Sequence, residues 1–127
     1  MMIRIRFAIA LCALALSMGL ATSASAAAPT AAASKTCKLT ITQQRNAGAT
    51  YLVSLSATGV SCARGLKVET AFQSCRRTTA GHRTCKKRIL GYSCKQTVID
   101  SVKTQYDAKV TCTSGSRVVK FTYTQNT

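Results

Sequence analysis

The sequence predicts an α+β fold, in which about five antiparallel strands form a sheet and one amphipathic helix packs on one of its faces. Two observations on hydrophobic patterning support this: several segments alternate apolar and polar residues, and one segment has apolar residues at helical spacing. The third observation is an even set of cysteines after an export signal, which indicates three disulfide bonds stapling a small domain. These cysteines are Cys37, Cys62, Cys75, Cys85, Cys94 and Cys112.

The first 26 residues have the features of a secretory signal peptide. Arg4 and Arg6 precede an apolar run that is too short to span a membrane, and an A-S-A cleavage sequence ends at Ala26. We expect cleavage after Ala26. Residues 27–35 are rich in alanine and are predicted to form a disordered tail, and residues 36–125 are predicted to form a single domain.

Two alternating segments predict an N-terminal hairpin. Cys37, Leu39 and Ile41 alternate with polar residues, and a second alternating segment covers residues 51–57. The sequence Asn-Ala-Gly between them is typical of a turn. The two segments are therefore predicted to pair as antiparallel strands.

Residues 62–77 are predicted to form the helix, with the hydroxyl of Ser61 capping its first turn. The apolar side of this helix should face the sheet, and Gly65 on that side permits a close approach. The members of the apolar side are Gly65, Val68, Ala71, Phe72 and Cys75. Arg76 falls outside this set.

Three further strands are predicted in the C-terminal half. They cover residues 90–94, 106–112 and 119–123, where apolar side chains share one parity. Residues 96–103 interrupt the pattern and are predicted to form a polar excursion. Five strands and one helix follow.

The same patterns orient the cysteines. Strand parity points Cys37, Cys94 and Cys112 toward the core, and Cys75 lies on the apolar side of the helix, as disulfide geometry requires of converging residues. The pair that the sequence favours is Cys75 with Cys85, which would connect the end of the helix to the next segment. The pairing of the other four cysteines stays open.

No motif for catalysis or for binding a metal or cofactor is present. The cysteine spacings contain no C-x-x-C and His82 is the only histidine, which argues against structural zinc and thioredoxin-like chemistry. The acidic residues Glu69, Asp100 and Asp107 stand in no recognised catalytic pattern. Nucleophile-elbow, zinc-protease, phosphate-loop and dinucleotide motifs are also absent from the sequence. We therefore predict a protein that is not an enzyme and needs no cofactor.

The charge of the chain is strongly positive. Two of the 18 basic residues lie in the signal peptide, which leaves 16 against three acidic residues and a net charge of +13. Such a charge favours anionic partners, or serves only solubility. Cations are densest around Cys75 and Cys85, where a disulfide would make a rigid loop able to bind phosphate or carboxylate groups. The candidate anion-binding residues are Arg76, Arg77, Arg83, Lys86, Lys87 and Arg88.

Other partner classes have less support. The aromatic residues fit core positions, so the stacking platforms of single-strand nucleic-acid binders are missing. A membrane-active, antimicrobial-type protein stays an alternative, although a short helix that carries Glu69 is poorly suited to insertion into a membrane. A rigid loop on a disulfide scaffold also suits an inhibitor or binding module for an extracellular protein. We expect a monomer, secreted or associated with the cell envelope, that binds anionic surfaces or polymers of the envelope.

Three short motifs carry a resemblance. Ser61-Cys62 begins the helix, Gly91-Tyr92-Ser93-Cys94 follows, and residues 110–121 read V-T-C-T-S-G-S-R-V-V-K-F. This arrangement resembles small exported bacterial domains of unknown function, with motifs S-C-helix, G-[FY]-x-C and V-x-C-x-x-G-x-R-x-[VI]-x-F. The resemblance implies a compact secreted α+β domain and brings no activity with it.

Overall fold

The computed structural model describes residues 30–79 and 84–127. The predicted signal peptide and the beginning of the predicted tail lie outside these ranges, as do His82 and Arg83. Within them the chain forms a five-stranded antiparallel sheet, one long helix packed against it and three disulfides, which confirms the predicted α+β class.

The sheet has the strand order β1-β2-β5-β4-β3, and every neighbouring pair is antiparallel. The strands are β1 (Ser34–Thr36), β2 (Tyr51–Thr58), β3 (Ser93–Val102), β4 (Gln105–Ser114) and β5 (Arg117–Asn126). The helices are α1 (Ile41–Asn46) and α2 (Cys62–Thr78). The helix α2 connects β2 to β3 at the far edge of the sheet, and β3, β4 and β5 form a meander.

The prediction of a strand over residues 37–42 was wrong. The strand that pairs with β2 lies earlier, at Ser34–Thr36, and includes the last two residues of the predicted tail, while residues 41–46 form α1. The side chain of Thr40 accepts from the N–H of Gln43, and the Gln43 side chain accepts from the N–H of Thr40. This reciprocal capping box stabilises a helix start, so it overrides the short alternating pattern. Ile41 is consequently 67% exposed rather than core-facing.

The third predicted strand was misplaced. The strand β3 covers most of the segment predicted as a polar excursion, because Thr97, Val98 and Ile99 favour extended structure. Thr97 and Val98 pair with β4, and Ile99 lies in a bulge where the register shifts. Before it, Ile89 and Tyr92 exchange two backbone hydrogen bonds of 2.8 Å around a two-residue turn. Leu90 and its neighbouring glycine have φ of 50° and 88°, the positive values of a type I′ turn. Leu90 therefore points into solvent, whereas Tyr92 is buried.

The core lies between α2 and one face of the sheet. The rings of Phe72 on α2 and Phe121 on β5 meet edge to face, with centroids 5.5 Å apart. Alternate residues of β2, β4 and β5 complete this layer, and their side chains are almost fully buried. They are Leu52, Leu55, Ala57, Ala108, Val110, Val119 and Tyr123. The opposite face of the sheet carries no helix within the described residues.

All six cysteines of the predicted domain are paired. Cys37 bonds to Cys62 and ties the end of β1 to the start of α2. Cys94 bonds to Cys112, its directly opposite partner in the β3–β4 ladder. The third bond joins Cys75 and Cys85, the pair that the sequence favoured. No helix in residues 30–79 and 84–127 is long and apolar enough to cross a membrane.

Candidate anion-binding surfaces

The Cys75–Cys85 disulfide holds a cationic segment against the C-terminal half of α2. Cys85 is only 2% exposed, whereas the three residues that follow it point into solvent. Arg77, in the last turn of α2, is exposed as well. We call the exposed residues Arg77, Lys86, Lys87 and Arg88 the basic loop. Arg83, which the sequence also proposed for this surface, lies outside the described residues.

Two members of the basic loop are oriented by backbone carbonyls. Arg77 Nη1 donates to the carbonyl of Gly48 at 3.2 Å, and Arg88 Nη2 donates to the carbonyl of Gly91 at 2.8 Å. A guanidinium group has five N–H donors in a fixed planar arrangement. Each of these bonds therefore orients the group and leaves other donors for an anion.

Arg76 does not belong to this surface, contrary to the sequence prediction. Its side chain is 2% exposed and lies between α2 and the sheet, where its planar donors are matched by three acceptors. Nε donates to Gln73 at 2.8 Å, Nη1 to the hydroxyl of Tyr106 at 2.9 Å, and Nη2 to Gln125 at 2.7 Å. The guanidinium carbon also lies 5.1 Å from the ring centre of Tyr123. Arg76 is thus part of the interior.

Arg76 continues a buried polar stripe on α2 that includes Glu69 and Gln73, both fully buried. Glu69 Oε1 and Gln73 Nε2 lack hydrogen-bond partners among the described residues, and Thr70 donates to Glu69 Oε2 at 3.4 Å. Burial raises the pKa of Glu69 to about 7, and nearby hydrogen bonds and arginine charges offset only part of this effect. The middle of α2 therefore carries a buried carboxyl group that binds its proton more tightly than an exposed glutamate does.

Helical spacing alone could have located this stripe. Glu69 and Gln73 follow Gly65 in steps of four, and Arg76 follows Phe72 by four. Only apolar or small residues were predicted on the buried side of the helix, so Glu69, Gln73 and Arg76 were not predicted there. Predicted members Ala71 and Cys75 are half-buried at the margin of the helix–sheet contact.

Only one of the three acidic side chains is exposed on the surface, whereas most of the lysines and arginines of the described residues are exposed. Glu69 is buried, Asp100 is exposed on β3, and Asp107 on β4 is half-buried. Asp107 Oδ1 accepts a hydrogen bond of 2.7 Å from Thr124. The two surface carboxylates pair in register on β3 and β4. The acidic charge of the surface is therefore confined to one end of one hairpin.

A second cationic surface lies on the side of the sheet opposite α2, which we call the open face. Its residues alternate along each strand with the core residues, so their side chains point away from the helix. Three of them are the lysines Lys95, Lys109 and Lys120, one on each of β3, β4 and β5, and all are exposed. In the sequence these lysines stand out only as polar residues next to the apolar positions of strands, and they were not predicted to form a surface.

The strand register places hydroxyl groups between these lysines. Thr111 pairs with Lys95 on one side and with Lys120 on the other, and Lys120 pairs in turn with Ser56. One row across the sheet therefore alternates ammonium and hydroxyl groups. In the next row Lys109 pairs with Thr97 on β3 and Thr122 on β5.

A shallow depression of about 390 Å³ opens in the middle of this face. Lysines and hydroxyl residues supply most of its lining side chains, while Leu55 and Phe121 are buried in the core on the other side of the sheet. The polar lining residues are Thr36, Ser54, Ser56, Lys109, Thr111, Lys120 and Thr122.

The chain matches no protein-family model, no curated protein and no solved structure.

Proposed function

We propose that this protein is a secreted, noncatalytic domain that associates with anionic surfaces or polymers of the cell envelope. The observation that carries the proposal is the separation of charge: exposed cations follow Cys75 and Cys85 closely in the chain, and the two surface carboxylates lie on the β3–β4 hairpin. Cations with few acidic neighbours attract polyanions through a field that extends about one Debye length, roughly 8 Å at physiological salt.

The disulfide supports a binding role because it restrains the chain next to the cations. A restrained loop loses less conformational entropy when it binds than a flexible one. Arg77 and Arg88 can each form two parallel hydrogen bonds to one phosphate or carboxylate group, while Lys86 and Lys87 act as compact charges. Three disulfides are also compatible with an extracellular location, where thiols are oxidised.

Retention of the disulfide-intact protein on a sulfonate matrix tests this function. The loop variant Arg77→Gln/Lys86→Gln/Lys87→Gln/Arg88→Gln should elute at a clearly lower NaCl concentration than wild type. A matched control removes the same charge from exposed positions elsewhere, and its four substitutions are Lys38→Gln, Arg45→Gln, Lys67→Gln and Lys103→Gln.

The control variant should elute later than the loop variant. Equal elution of the two would show that net charge, and not the basic loop, governs association. Retention that does not change with salt would also contradict the proposal, because interactions of exposed charges are screened.

A further inference from the structure

We propose that the open face is a second binding site, and that its ligand is an extended acidic polysaccharide lying across the strands at Lys109 and Lys120. The inference extends the proposed association with envelope polymers to a different surface and names the class of polymer. It depends on residues that the basic loop does not contain, so each site can fail separately.

The close spacing of the lysines on the open face favours an anionic ligand. Lys95 and Lys120 lie in one row on strands two apart, which separates them by about 10 Å. Lys109 is diagonal to both, at about 7–8 Å. Like charges at these distances repel each other. Asp107 lies on the same face two residues from Lys109 and pairs with Asp100, so it offsets part of the charge at that position, whereas the row that holds Lys95 and Lys120 contains no carboxylate. An anionic ligand along the row would remove this repulsion.

The hydroxyl groups between the lysines favour a ligand that carries hydroxyl groups of its own. Each serine or threonine hydroxyl can donate one hydrogen bond and accept others, which matches the hydroxyl groups of a sugar ring. Ser56 and Thr111 flank Lys120 in the same row, and Thr122 flanks Lys109 in the next. A ligand that combines carboxylate or sulfate groups with hydroxyl groups would satisfy both kinds of side chain.

The size and lining of the depression on the open face suit an extended ligand. The depression of about 390 Å³ lies within the range of roughly 300–1,000 Å³ that small-ligand sites occupy, and its lining residues come from β1, β2, β4 and β5. A ligand lying across the strands would therefore contact several of these side chains at once. Because antiparallel pairing holds the backbone on all sides of Thr111 and Lys120, little ordering is needed on binding.

Two other polyanions fit this surface less well. Single-stranded nucleic acids are held by aromatic side chains on which bases stack, and the ring of Phe121 at this position is 1% exposed and packs in the core. Anionic membranes are bound by cations next to apolar side chains that insert among the lipids. The side chains that reach the depression from the open face are lysines and hydroxyl residues.

Isothermal titration with polygalacturonate tests the site. The face variant Lys109→Gln/Lys120→Gln should bind at least about tenfold more weakly than wild type, because charge-assisted hydrogen bonds are the strong contacts of such an interface. The control Lys38→Gln/Lys103→Gln has the same net charge and alters exposed lysines away from the depression, so it should lose much less. Equal losses in the two variants would overturn the proposal.

A second variant tests the sugar component while keeping the charge. Ser56→Ala/Thr111→Val should weaken polygalacturonate binding by about threefold and polyphosphate binding by less, since polyphosphate can accept hydrogen bonds from these hydroxyls but has no hydroxyl groups to donate to them. If this variant binds polygalacturonate like wild type, the face recognises charge alone and the polysaccharide assignment is wrong.

The loop variant separates the two proposals. It should lose retention on sulfonate but keep polygalacturonate binding within about threefold of wild type, since the basic loop and the open face share no residue. Loss of polygalacturonate binding in the loop variant but not in the face variant would overturn the second site and leave the proposed function standing. The reverse outcome is loss of polygalacturonate binding in the face variant but not in the loop variant, together with equal elution of the loop and control variants from sulfonate. It would support the open face as a binding site and contradict the proposed role of the basic loop.

Discussion

The two faces of the sheet are built from alternate residues of the same strands, but they use positive charge in opposite ways. On the covered face Arg76 is buried and makes specific hydrogen bonds to Gln73, Tyr106 and Gln125. On the open face Lys109 and Lys120 are exposed beside hydroxyl groups. The difference shows that the fold divides the positive charge of this chain between the interior and the solvent-exposed surface.

The largest expected loss of stability follows from removing the hydrogen bonds that Arg76 makes between α2 and the covered face of the sheet. Arg76→Ala should lower the free energy of unfolding by about 3–5 kcal/mol, because it leaves Gln73, Tyr106 and Gln125 without their shared partner in the interior. Urea unfolding of the disulfide-intact variant measures this loss.

Arg77→Ala is the matched control for Arg76. It removes an adjacent exposed arginine with a hydrogen bond to one carbonyl, and should cost no more than about 1 kcal/mol. Equal losses for the two variants would mean that Arg76 is not an interior residue.

A smaller effect concerns the proton on Glu69. Its pKa is about 7 in the folded protein against 4.5 in the unfolded chain, so the folded state retains the proton more strongly. The stabilising contribution is complete below about pH 4.5 and is lost as the pH rises to about 7, by roughly 3 kcal/mol. Unfolding measured at intervals from pH 4 to pH 8 should show this decline.

Glu69→Gln should abolish most of the decline and should be more stable than wild type at pH 8, because the amide stays neutral. Asp100→Asn, at an exposed position, serves as the control and should preserve the slope. If the slope survives in Glu69→Gln, another group is responsible for it.

The smallest expected effect sharpens the picture of how closely α2 approaches the sheet. A Cβ at Gly65 would meet side-chain atoms of Ala57, Val119 and Leu55 at 3.7–3.8 Å, which is ordinary contact. Gly65→Ala should therefore raise the free energy of unfolding by about 0.5–1 kcal/mol through helix propensity. Thermal unfolding followed by circular dichroism can detect such a change.

Gly48→Ala provides the contrasting variant. Gly48 has φ +100°, and a Cβ there would lie 2.9 Å from Gln73 Cβ, so this change should destabilise the protein. A loss of stability in Gly65→Ala would show that the sheet needs a glycine at that position.

Prediction from the sequence succeeded where one local pattern was strong. The helix α2 begins at Cys62 after Ser61, as predicted, because the cap and the apolar spacing agree. The alternation of β4 and β5 also located those strands. Prediction failed at residues 37–42, where a few alternating residues competed with the capping box of Thr40, and at Leu90, where a turn took the place of a strand.

The candidate surfaces divide in the same way. Composition identified the basic loop, and the structure leaves Arg77, Lys86, Lys87 and Arg88 exposed. That they bind anions together stays a prediction. The open face could not be found from composition, because its lysines are separated along the chain and meet only through strand register.

The sequence by itself determined the α+β class, the cysteine set and the excess of positive charge, since these depend on local periodicity and composition. The tertiary structure decided how the four cysteines that the sequence left open pair, which partners Arg76 finds in the interior, and which cations reach solvent. Those outcomes depend on contacts between distant segments, such as Arg76 with Tyr106 and Gln125 or Lys120 opposite Thr111. Residues far apart in the chain become neighbours only when the sheet order and register are fixed, so local patterns carry no record of them.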